Sequence, residues 1–135
     1  MNRDWGFEKW QQVVNELKDD FVFFQSSFGK NKILQNVINL HNVNFRKSCA
    51  LLSNADLFIG IEGGMHHAAA ALNKNAVVIF GGFIHPSITG YDFHKNLFIK
   101  NNESPCGEKN KCKYCIKCME LITVKMATKE IKKLF

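Results

Sequence analysis

The stretch from Asp56 to Gly82 restricts this chain to few folds. An apolar run from Leu57 to Ile61 stops at Gly63-Gly64, an alanine-rich segment follows, and a second apolar run from Ala76 to Phe80 stops at Gly81-Gly82. The order reads strand, turn, helix, strand. Continuous apolar runs mark parallel strands covered on both faces, and parallel neighbours need a crossover, normally a helix. The stretch is therefore one βαβ unit, and the fold class that follows is α/β, a Rossmann-like parallel sheet flanked by helices.

The turn is the first candidate site. In open α/β sheets ligands settle outside the carboxyl ends of strands, where a helix N-terminus offers N–H groups and partial positive charge. Gly63 and Gly64 let the backbone approach a ligand, and an anion such as a diphosphate suits that place. Paired glycines also serve simply as a tight strand-to-helix turn. Glycine spacing leaves both readings open, because the dinucleotide fingerprint asks for three.

With 135 residues, 46% of them hydrophobic and 22% charged, the chain suits one globular domain with a sizeable core. No apolar run approaches the ~20 residues of a membrane span, and the N-terminus lacks a charged-then-apolar leader pattern. The expected location is the cytoplasm. Residues 100–135 hold nine lysines and four glutamates, so most of the formal net charge of +6 lies in the last quarter. Such a patch is a solvated surface, or else meets anionic lipid headgroups, phosphorylated saccharide or nucleic acid.

Phe7, Trp10, Val13, Val14 and Leu17 follow helical spacing. Phe21 to Gln25 reads as a buried strand, Asn31 to Asn36 as a weak helix, and Val37 to Leu40 as a short strand. Phe45 to Leu52 is a helix behind Asn44 as cap, with Cys49 on its apolar side, and Asn96 to Lys100 a last strand. Residues 1–100 form the Rossmann-like part, and residues 101–135 a cysteine-rich loop and final helix packed on it, with Thr123 as the helix cap.

Cys106, Cys112, Cys115 and Cys118 give C-x5-C-x2-C-x2-C. The residues between them are not core residues, and in a reducing compartment thiolate ligation of a metal is favoured over disulfides. Four thiolates suit structural zinc; iron also fits, and free or disulfide-paired thiols are the alternative. With all four positions filled by protein, such a metal is a staple and not a reaction centre.

Glu62-Gly63-Gly64-Met65-His66-His67-Ala68-Ala69-Ala70-Ala71-Leu72, with the strand Ala76 to Phe80 and Gly81 beyond it, resembles the signature of glycosyltransferase family 9, the heptosyltransferases. That signature runs Asp-(Thr/Ser)-Gly-Leu/Met-x-His-x-Ala-Ala-Ala-Leu-Gly-Lys-Pro, then an apolar strand and Phe-Gly. The resemblance implies the C-terminal, donor-binding half of a GT-B fold. By position, Gly63, Gly64 and Met65 offer N–H groups to the diphosphate of an ADP-heptose donor, His67 takes the family's histidine place, and Glu62 reaches the sugar hydroxyls. His66 reads as an ordinary neighbour. Glu62 stands where the family has Asp, and Gly63 where it has a hydroxyl residue.

Arg3-Asp4-Trp5-Gly6 is similar to the family's Lys-x-Trp-Pro, which puts Arg3 at the donor phosphates and Gly6 in the proline's place. Residues 46–56 match the helix that leads into the Ala-Asp-Leu strand. His85 and Thr89 fall in a loop beside the donor, and the final Cys118-Met119 to Val124 segment also fits. The acidic residue that often binds the donor ribose is not found between Gln25 and Lys32.

The resemblance implies that the acceptor-binding half, and with it the general base, lie outside this chain, so no catalytic residue is expected within it. The expected partners are an ADP-sugar donor, a lipopolysaccharide or other surface-glycan acceptor, and the N-terminal half of the enzyme or further copies of this chain. Peripheral contact with the inner membrane face is compatible with the basic tail. Two other functions compete: a non-enzymatic four-cysteine metal module whose basic tail binds nucleic acid, and an inactive truncated remnant. Aromatic residues other than Tyr114 are not interleaved with the lysines, which disfavours nucleic acid.

Overall fold

The computed structural model describes residues 4–27, 29–100, 105–107 and 112–135. The elements run α1 (Phe7–Leu17), β1 (Phe24–Ser27), β2 (Ile38–His41), α2 (Phe45–Ser53), β3 (Leu57–Ile61), α3 (Gly64–Ala71), β4 (Asn75–Ile79), α4 (Pro86–Thr89), β5 (Lys95–Leu97), α5 (Lys113–Leu121) and α6 (Val124–Lys132). All strand pairs are parallel. β1 pairs with β2, and β3, β4 and β5 form a three-stranded ladder in that order. The expected βαβ unit is β3–α3–β4, with Leu57 opposite Asn75 and Ile61 opposite Ile79.

β4 is the axis of the core. Val77 and Ile79 point to one side, where they pack with Trp5, Val13 and Leu17 from the N-terminal region and with Met119, Ile122, Ala127 and Ile131 from the C-terminal helices. Ala76, Val78 and Phe80 point to the other, against Leu52 of α2 and Ala69 of α3. Side chains alternate between the faces of a strand, so a strand covered twice must be apolar at every position. That is why the run Ala76 to Phe80 lacks polar alternation.

The N-terminal segment is bolted to the end of α5. Trp5 Nε1 donates to the Ile122 carbonyl at 2.8 Å, and the Lys9 ammonium donates to the carbonyls of Met119, Glu120 and Ile122 at 3.0–3.1 Å. The last carbonyls of a helix have no intrahelical partner and carry partial negative charge, so a cation there satisfies both needs. Gly6 caps α1 at φ 104°, a conformation closed to proline, whose φ is fixed near −65°. The glycine in the family's proline place therefore changes how the chain enters α1.

Three expectations need correction. Residues 31–36 are not a helix. The Gln25 side chain accepts from the Leu34 N–H and donates to the Lys32 carbonyl, Gln11 accepts from the Gln35 N–H, and Asn36 sits at φ 59°. Side chains thus take the backbone groups that a helix would have paired. The first strand begins three residues later than expected, since Phe21 and Phe23 pack into the core ahead of the ladder. The cysteine segment is not all loop: Cys115 and Cys118 lie on α5, and Cys112 is its N-terminal cap residue. The x2 spacings are i, i+3 steps along one helical face, which explains the burial of Cys115, Cys118 and Met119.

Candidate functional site: the turn between β3 and α3

Glu62 and Gly63 leave β3 at its carboxyl end, and α3 begins at Gly64. Its first turn directs the N–H groups of Gly64 and Met65 away from the helix, the polarity that receives anions. Glu62 is buried, and a carboxylate oxygen of it lies within 4.8 Å of one ring nitrogen of His66 and one of His67. The sequence placed the ligand contact on His67, and this ring is partly exposed, with Nδ1 2.8 Å from the Tyr91 hydroxyl.

His66, read from sequence as an ordinary neighbour, is fully buried. Its Nε2 lies 2.9 Å from the Thr89 carbonyl and its Nδ1 receives the Gly63 N–H at 3.3 Å. Burial pushes its pKa down, and the neighbouring His67 adds to that. Because the Gly63 N–H is already engaged, Gly64 and Met65 are the glycine-turn donors left for a phosphate. Glu62, His66 and His67 have the composition of a metal site, but both His66 nitrogens serve the backbone. His66 thus locks the turn by its polar contacts.

The remaining expected residues fall as follows. Arg3 lies outside the described residues. His85 caps α4, its Nδ1 accepting from the Ser87 N–H at 3.0 Å. Thr89 meets His66 through its carbonyl. Tyr91 and His94 ring the histidine pair, with His94 Nε2 3.1 Å from the Lys74 carbonyl and Tyr91 5.4 Å from the His66 ring. A capping-box reading of the sequence, in which the third helical residue reaches back to the cap N–H, was the signal that could have singled out His66.

A second cluster joins the segment after β5 to α5. The sulfurs of Cys106, Cys112 and Cys115 lie within 4.8 Å of one another, with 3.2 Å between Cys106 and Cys115. Cys118, expected as the fourth, is buried one turn farther along α5 and outside that trio. Cys115 Sγ also meets the Gly82 carbonyl at 3.0 Å. The Cys115 N–H at the start of α5 holds the Cys112 thiol below its ordinary range. Gly82 is required here, since a Cβ on it would fall on Cys115.

The model of glycosyltransferase family 9 (heptosyltransferase) matches residues 1–117. Among solved structures, the iron-containing dodecameric glycosyltransferase TibC from enterotoxigenic E. coli superposes with a TM-score of 0.73 at 20% identity, over 99% of this chain and 42% of that one. TibC, described as a heptosyltransferase, in complex with ADP-D-beta-D-heptose gives 0.69 at 18% identity, over 98% and 40%. The chain thus spans about two fifths of the length of these structures. No curated sequence matches it. The match over most of the chain, on a parallel sheet whose glycine turn opens a helix, shows that the chain belongs to glycosyltransferase family 9, the heptosyltransferases.

Proposed function

We propose that this chain is the donor-binding half of a sugar transferase, with residues 1–100 holding the nucleotide sugar and residues 101–135 packed on them as a cysteine-bearing cover. The observation that carries this is the β3–α3 turn, where the Gly64 and Met65 N–H groups, Glu62 and His67 meet at one strand end. The N–H groups hold and then stabilise the leaving diphosphate, His67 contacts it, and Glu62 orients the sugar. Arg3 adds a phosphate contact. TibC in complex with ADP-D-beta-D-heptose makes ADP-heptose the first donor to try. The acceptor, a lipopolysaccharide or other surface glycan, and the base that deprotonates it belong to the other half of the enzyme.

The cysteines fit a metal by their chemistry. Three convergent soft ligands, one drawn toward thiolate by a helix N-terminus, suit zinc or iron, and Cys118 on the same helical face is the proposed fourth. TibC is iron-containing, which favours iron. Such an ion would supply a structural link between α5 and the segment after β5 that carries Cys106. TibC is also dodecameric, so self-association is proposed here as well. No helix among the described residues is long and apolar enough to cross a membrane. Lys125, Lys129, Lys132 and Lys133 of α6 and its end give a basic face for peripheral contact at the cytoplasmic side.

Calorimetric titration with ADP-heptose, ADP and UDP-sugars tests the donor reading. Gly64 is the first helical residue, where proline is tolerated, so Gly64→Pro removes one N–H without breaking α3. Saturable ADP-type binding that weakens about tenfold in the variant is expected, one charge-assisted hydrogen bond being worth roughly that factor. Absence of nucleotide binding would overturn the reading.

A further inference from the structure

We infer that His66 is the positioning residue of the donor turn, a two-armed pin that fixes the backbone of Gly63 against the end of α4. The inference rests on the donor reading above and adds a role that the family-signature histidine, His67, does not fill.

One neutral tautomer satisfies both arms. With the proton on Nε2, the ring donates to the Thr89 carbonyl, while the bare Nδ1 accepts from the Gly63 N–H. The first contact reaches across 23 positions in sequence and the second across three. The ring is fully buried, with Phe80 edge-on at 5.7 Å and Tyr91 at 5.4 Å. A charged ring would lose the acceptor at Nδ1 and turn that nitrogen to the Gly63 carbonyl, 3.2 Å away, leaving the Gly63 N–H without this partner. The depressed pKa of His66, set first by desolvation and then by His67, keeps that state away near neutral pH.

The consequence concerns the phosphate. A glycine turn is conformationally permissive, and N–H groups bind an anion well only when they are already aimed. His66 removes that freedom from one end of the turn, and leaves the Gly64 and Met65 N–H groups to point outward. His67, next in sequence, is held to the same segment through Tyr91. Thr89 to Tyr91 therefore position both the turn and the ring beside it.

Two variants sever the arms separately. In His66→Asn the amide oxygen takes the place of Nδ1 and keeps the Gly63 arm; in His66→Gln the amide N–H takes the place of Nε2 and keeps the Thr89 arm. Amide hydrogen exchange should rise in residues 86–91 for the first and at residues 62–65 for the second, with α6 unchanged in both. A residue that merely filled space would loosen both segments alike. ADP affinity should fall about tenfold in each, the loss of one hydrogen bond. Long-range 15N NMR of the unmodified protein reads the tautomer without any variant, and an Nδ1–H or doubly protonated His66 overturns the inference, as does exchange or affinity equal to the parent in both variants. If the parent binds no ADP the donor reading fails, whereas the split exchange pattern and the tautomer still decide the pin.

Discussion

Tyr91 shows how much a single hydroxyl does at this site. Its OH meets His67 Nδ1 at 2.8 Å, and its ring also packs edge-on against His66 and His94. Tyr91→Phe keeps the ring and removes only the bond, so His67 regains rotamer freedom while the surrounding packing stays. The expected outcome is a three- to tenfold weaker Kd for an ADP-sugar, roughly the worth of one neutral hydrogen bond, with Tm changed by little. Calorimetry beside a thermal melt separates the two effects. An unchanged Kd would show that His67 needs no orientation by Tyr91. Of the two adjacent histidines, the buried one bonds the backbone at Gly63 and Thr89, and the partly exposed one is held by Tyr91.

Among the elements, α5 depends most on a neighbour's lack of a side chain. Its residue Cys115 lies where a Cβ on Gly82 would stand, and two backbone bonds from the loop, Cys106 N–H to Gly82 O at 2.9 Å and Gly107 N–H to Phe83 O at 3.1 Å, hold the other cysteine against the same place. Gly82→Ala must push α5 away from β4 and pull Cys115 from Cys106. Overpacking of this kind costs about 1–3 kcal/mol. On the metal reading proposed above, the metal content of the purified variant, measured by elemental analysis, is expected to fall severalfold below that of the parent. A parent and variant equally loaded would refute the link between the glycine and the cysteines. At its other end α5 is tied to α1 by Lys9 and Trp5, so both ends of this helix are fixed by residues remote in sequence.

For the molecule as a whole, two buried neutral histidines set the acid limb of stability. Desolvation lowers the pKa of both His66 and His94. The unfolded chain, with histidines near the ordinary 6.5, then binds protons that the folded chain refuses. Stability is therefore at its full value above about pH 6.5 and falls as pH drops below it, by up to about 1.4 kcal/mol per pH unit for each histidine until its folded pKa is reached. Urea unfolding at pH 7.5 and 5.5 should show this loss, and His94→Gln, whose amide still reaches the Lys74 carbonyl, should flatten the slope by about half. Equal midpoints at both pH values would mean that folding does not lower the pKa of the two rings. The same proton uptake removes the acceptor that His66 Nδ1 offers the Gly63 N–H.

Much of this protein was legible from short stretches of its sequence, because the information was local. The βαβ unit declared itself through two apolar runs and a glycine turn, and its parallel pairing is observed. Asn44 and Thr123 cap α2 and α6 through their side chains, as their positions ahead of apolar periodicity predicted. The family signature identified the turn. Tertiary structure decided the rest, wherever a polar group finds its partner far along the chain. Gln11 and Gln25 turned a weak helix at residues 31–36 into a pinned loop. The i, i+3 spacing of the cysteines was visible, but the approach of α5 to Gly82 was not. Sequence gave His67 the contact by its place in a motif; the burial of His66 and its reach to Thr89 exist only once α4 is folded over the turn. Local periodicity and capping act over a few residues and can be read there, whereas the pairing of buried polar groups is settled by the whole packed core.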